Sequence, residues 1–239
     1  MIANVTAEQI ASTIGLEAIP ENVRSLTELA SRQEAPMEDI AKLICKDKEL
    51  TMRLLRAANP RALSEDDYNV TSVNAALMRA GVGCALLLAM SYPLIRAVKR
   101  TFETMIGIDL KDVAAGVLCP FENEHVIGQV AFEGKATGCV NLRFSCASAN
   151  AVAATVLGFA PADAADVNDV IGELSNMVVG NFKSNLCDAG LTCKLNPPAI
   201  SRTDVFKLRA TDGGLAERTG FRAQDIEIFV DILVNPWGD

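Results

Sequence analysis

Asp169, Glu173, Asn176 and Gly180 recur at i, i+4, i+7 and i+11, the spacing that lines residues along one side of a helix. An amide donates and accepts hydrogen bonds at once without titrating, so Asn176 is a polar group whose role does not depend on pH. Glu173 stands three residues earlier, so the carboxylate and the amide lie side by side on one face and can act together. Exposed helix faces ordinarily favour Lys, Glu, Gln and Ala. The glycine on this stripe costs roughly 1 kcal/mol of helix stability against alanine. A plainer reading stands beside the chemical one. Glu173 would be a solvated residue, Asn176 would bond its own backbone, and Gly180 would mark close helix packing.

The elements that must hold this stripe are legible around it. Within residues 168–186, Ile171, Leu174, Met177/Val178 and Phe182 recur at helical spacing and mark a core side. Residues 126–144 alternate in two runs, VIGQVAFEG and ATGCVNLRFS, about Glu133-Gly134-Lys135, which predicts a hairpin. The Ala-rich stretch 147–158 predicts a helix, and Asp163 and Ala164 lead into the stripe helix. Strands are expected at 192–202, 205–210 and 226–234. Pro197 and Pro198 demote the first to a sheet edge or an irregular strand. This order predicts an α+β domain with helices on one face of a mostly antiparallel sheet.

Upstream, the periodicity is helical throughout. Helices are expected from Thr6, over 21–32, from Pro36, and over 49–58, where Asn59-Pro60 ends the last. Thr71 or Ser72 caps a fifth that ends near Gly81 and Gly83; 84–98 and 100–106 follow as helix. The fold class expected is two-domain: an all-α bundle over 1–98, then the α+β domain over 99–239.

Composition narrows the function. Half of the 239 residues are hydrophobic, and the net charge of −8 argues against nucleic acid or an anionic membrane as partner. Seven cysteines, an odd count without CxxC, encode neither a disulfide framework nor a zinc knuckle, and fit a reducing cytoplasm. The opening MIANVTAEQIAS lacks the features of a secretion signal. The longest charge-free apolar run, 80–90, is short of the roughly 20 residues that span a bilayer. A cytoplasmic protein without a membrane partner is expected. His125 is the single histidine and reads as a loop residue, so the helical half holds no metal-dependent hydrolase site. Gly134, Gly138, Gly213 and Gly214 sit in turns without a phosphate-binding pattern, and Trp237 covers a core edge or an interface.

Three segments, IPENVRSLTELA, MEDIAKLICKDKELTMRLLRAANP and VTSVNAALMRAGVGCALLLAMS, resemble the first half of the HDOD signalling domain over residues 19–98. That resemblance implies a binding or regulatory module. The second half resembles the CheX-type chemotaxis phosphatases. The residues that carry it are FETMIGI, the GQVAF…GCVNLRF hairpin, DVIGELSNMVVGN (169–181), NPPAI and the closing apolar strand. The chain contains one E-x-x-N tetrapeptide, and it lies in this helix.

The resemblance implies hydrolysis of the aspartyl-phosphate of a CheY-like response regulator. The partner would supply the phosphoaspartate, Mg2+ and a lysine, and this chain would need no cofactor of its own. Asn176 would orient the water and Glu173 would dock on the lysine, with Gly180 keeping the next turn low and Asp169 flanking the site. It also implies pairing of two copies through their sheets. The alternative from another class is a non-catalytic interaction or dimerisation module using the same surface. Fusion of the helical half directly upstream could cover the stripe.

Overall fold

A computed structural model describes residues 25–26, 28–29, 36–59, 70–113, 124–134, 137–188, 192–203 and 215–235. The helix expected from Thr6, most of the one over 21–32, the strand expected at 205–210, Gly213, Gly214 and Trp237 lie outside these residues. Strand β1 is Lys111–Val113, β2 His125–Gly134, β3 Thr137–Ser145, β4 Cys193–Leu195, β5 Ala199–Thr203, β6 Leu215–Ala223 and β7 Ile226–Asn235. They form one antiparallel sheet in the order β1-β6-β7-β3-β2-β4, with β5 also pairing β2.

The predicted hairpin is β2–β3, in register from Val126↔Phe144 to Phe132↔Gly138. Its alternation puts Val126, Val130, Phe132, Val140, Leu142 and Phe144 wholly inside, on the helix-covered face. The closing apolar strand β7 lies beside β3 in the middle of the sheet, which explains its nearly unbroken hydrophobic run. The strand expected at 192–202 is split. β4 and β5 both pair β2; the Asn196 N–H still donates to Ala131 O of β2 at 2.9 Å, and Pro197 and Pro198 then leave the ladder. Proline has no N–H to donate, so the break falls there.

Two strands, β1 and β6, are not signalled by alternation. β6 reads LAERTGFRA, too charged to look like an inner strand. Its charges are neutralised by partners: Arg218 meets Asp231, Arg222 meets Glu227, and Glu217 meets Arg53.

Helix α1 is Met37–Cys45, α2 Lys48–Ala58, α3 Val73–Ile106, α4 Cys146–Leu157 and α5 Ala164–Asp188. The break expected near Gly81 and Gly83 is a kink at Gly81 alone, with φ 83° and ψ 157°. A left-handed φ suits a residue without Cβ. Past it α3 continues through Pro93 and position 98 to Ile106, absorbing the two helices expected at 84–98 and 100–106. It ends on Gly107 at φ 71°, where the Gly107 N–H donates to Glu103 O and the Ile108 N–H to Phe102 O.

This long helix serves two cores. Val73, Leu77, Ala85 and Leu88 pack with Leu26, Ile40, Ile44 and Leu54, whereas Met90, Leu94, Val98 and Phe102 pack on the sheet. Arg53 of α2 ties the two together. It donates to Leu88 O at 3.2 Å and Ser91 Oγ at 2.7 Å, and pairs with Glu217 of β6. No helix among the described residues is long and apolar enough to cross a membrane.

Candidate active site

Helix α5 is set down on the sheet by specific contacts. Its start is capped: Asp163 Oδ1 accepts from the Ala165 and Asp166 N–H groups, and Asp166 Oδ2 accepts from the Ala162 N–H. Both carboxylates also suit the positive end of the helix dipole. Ile171, Ser175, Val178, Val179 and Phe182 face the sheet and are buried. Ser175 Oγ donates to Ile171 O at 2.7 Å and lies 2.0 Å from where a Cβ on Gly128 would stand. The helix can sit this low because β2 carries no side chain there. Phe182 meets Phe132 edge to face, with centroids 6.1 Å apart. Laterally, Arg202 of β5 donates to Asn168 Oδ1 at 3.0 Å, and Asn181 donates to Thr101 Oγ1 of α3 at 3.2 Å.

With α5 anchored on those sides, the stripe turns outward. Asp169, Glu173 and Asn176 are exposed, and Gly180 is half-buried. Asp169, Glu173 and Asn176 make no side-chain hydrogen bond or ion pair among the described residues. The local back-bonding considered for Asn176 is therefore absent, although Ser175 and Ser184 on the same helix both bond the carbonyl four residues back. Close helix packing at Gly180 is also absent, since a Cβ there would meet nothing within 4 Å. The fused helical half leaves Asp169, Glu173 and Asn176 exposed.

Sequence reasoning missed an apolar groove of about 200 Å3 flanking the stripe. It is lined by Met105, Val156, Val170, Leu174 and Met177 together with Asp169 and Glu173. Its walls come from α3, α4 and α5, so no single periodic pattern reports it.

The remaining candidates are structural. His125 is not a loop residue: it opens β2, is buried, and stands opposite Ser145 of β3 and Thr203 of β5. Flanking strands on both sides draw it into the sheet. No group of three or more potential metal ligands occurs among the described residues. On the sheet face away from α5, Asp231 is fully buried between Arg143 (2.9 Å) and Arg218 (2.5 Å). Both guanidinium groups lie over Phe229. Burial lowers the Arg143 pKa while Asp231 opposes that fall. Burial pushes the Cys84, Cys139 and Cys193 thiols up; Glu217, Asp231 and Cys187 add to the three shifts in turn.

Residues 126–215, which hold β2 from its second residue through β5 and the entire stripe, match the family model for the chemotaxis phosphatase CheX. The second half is similar to CheX over those residues. Residues 16–118 match the HDOD domain model, whose span extends past the end of α3. Solved structures agree on the fold. The chemotaxis protein CheX from Vibrio vulnificus is 22% identical with a TM-score of 0.52, covering 61% of this chain and 95% of its own. A CheX from Desulfovibrio desulfuricans is 23% identical at 0.52, over 61% and 98%. A CheC-like superfamily protein from Shewanella sp. PV-4 is 20% identical at 0.53, over 61% and 96%. No curated protein matches the chain. In this half of the chain, the antiparallel sheet is the platform and α5 the element that presents polar groups outward.

Proposed function

We propose that the CheX domain hydrolyses the aspartyl-phosphate of a CheY-like response regulator by presenting Glu173 and Asn176 to the partner's active site. The observation that carries this reading is the exposed, unpaired Glu173–Asn176 pair on a helix whose opposite face is fully buried. An acyl phosphate is already activated, so catalysis needs positioning more than covalent help. Mg2+ would be held by the partner in this scheme and would supply charge neutralisation at the phosphoryl group.

Asn176 holds the attacking water with its carboxamide, donating and accepting without a change of protonation. Glu173 pairs with the partner's lysine and fixes the approach of the two surfaces. Asp169 flanks that contact. Gly180, open above, lets the partner's loops come close to the helix. The HDOD-like helical half acts as a regulatory module continuous with the CheX-like half through α3.

The test mixes the full chain with phosphorylated response regulators and follows release of phosphate. Asn176→Ala lowers turnover by about 100-fold, the scale of losing one positioned hydrogen-bonding group at a reacting centre. Unchanged turnover in that variant rejects the mechanism. Absence of turnover with every regulator tried leaves the non-catalytic interaction module instead.

A further inference from the structure

We infer that the groove beside the stripe seats an apolar side chain of the partner's receiver domain, one standing next to the lysine that Glu173 engages. The inference rests on the proposed phosphatase reading and names what selects the partner. Val170 and Leu174 are buried at the base of the groove, while Met105 and Val156 at its sides are 53% and 43% exposed. Apolar side chains left open in one concavity gain by burial against an apolar group of a partner. A dry cavity of about 150 Å3 holds benzene. This groove, about 200 Å3, takes one ring or branched aliphatic side chain.

Charge specifies the rest of the occupant. Asp169 and Glu173 line the groove with their carbon atoms alone and set their carboxylates at its rim, four residues and therefore about 6 Å apart along the helix axis. Both are exposed and neither has a partner among the described residues. Two like charges on one helix face repel each other, and a cation between them removes that repulsion. An apolar group flanked by an ammonium matches both features; an acidic or wholly polar surface matches neither. Met105 stands on the last turn of α3, where the Gly107 cap ends the helix. A receiver lacking the apolar group would leave the groove wet and bind less tightly.

The experiment measures two quantities on the full chain: affinity for a CheY-type receiver held in its active form by beryllofluoride and Mg2+, and turnover of the phosphorylated receiver. Met105→Glu and Val156→Glu place a charge in the groove and weaken binding about tenfold or more, as loss of one buried apolar contact requires. KM rises with kcat nearly unchanged, whereas Asn176→Ala does the reverse. Met105→Ala, which adds no charge, weakens binding in the same direction and guards against misfolding of the glutamate variants. Wild-type affinity in all three groove variants, with turnover still lost in Asn176→Ala, overturns the groove and leaves the phosphatase reading intact. Groove-dependent binding without turnover supports the groove and removes the phosphatase. Neither binding nor turnover with the receiver overturns both.

Discussion

The hydroxyl of Ser175 fills the space that a side chain on Gly128 would need, 2.0 Å from the position of a Cβ. Helix α5 and strand β2 are therefore seated by a serine–glycine contact directly beneath the stripe that carries Glu173 and Asn176. Gly128→Ala forces the helix outward or the serine into another rotamer. It should destabilise the fold by about 1–3 kcal/mol. Chemical denaturation measures this. Adding Ser175→Ala should recover part of the loss, and no recovery would show that the clash lies elsewhere.

Gly180 offers a test in which stability and function move in opposite directions. Nothing lies within 4 Å of a Cβ built there, and its backbone is helical. Gly180→Ala should raise stability by up to about 1 kcal/mol, the helix-propensity difference. If the partner must approach this turn closely, turnover should fall at the same time, and more steeply with Gly180→Leu. A stabilised variant with full turnover in both cases would remove Gly180 from the site.

Arg53 and Glu217 join the helical core to the sheet through a pair whose side chains are 16% and 18% exposed. Arg53→Met strands a mostly buried carboxylate and also removes the contacts to Leu88 O and Ser91 Oγ. A loss of about 2–4 kcal/mol is expected in thermal or urea denaturation. The double variant Arg53→Met with Glu217→Gln should be closer to wild type than the single one. Additive losses would mean the two groups are not coupled.

Alkaline pH should weaken the fold through its thiols. Burial raises the Cys84, Cys139 and Cys193 pKa values, so the folded protein keeps protons that the unfolded chain gives up first. Their contribution is fully present below the unfolded thiol pKa, about 8.5, and declines as pH rises from there through the folded values. Denaturation midpoints measured at rising pH should fall above that point. Cys139→Ala and Cys193→Ala should flatten the decline. Alkylation at neutral pH should mark exposed Cys45 before buried Cys193.

The sequence alone determined the parts whose signals are local. The period of 3.6 over 168–186 separates a core line from a polar line, and both lie where that period puts them: Ile171, Leu174, Val178 and Phe182 inside, Asp169, Glu173 and Asn176 outside. The period of two in 126–144 specifies the β2–β3 hairpin and its inward face, and paired prolines mark where the edge strand splits. Tertiary structure decided what depends on distant partners. Strand β6 is charged along its length, and it becomes a strand beside β7 because Asp231, Glu227 and Arg53 neutralise its charges. Helix α3 passes from one core to the other because each half finds its own apolar partners. The groove at Met105 and Val156 exists only where three helices meet, and no periodicity within one segment can encode a concavity shared among three. Whether Glu173 and Asn176 would be open was also a tertiary matter, since it depends on where the upstream half packs. It packs against β6 through Arg53 and leaves them exposed.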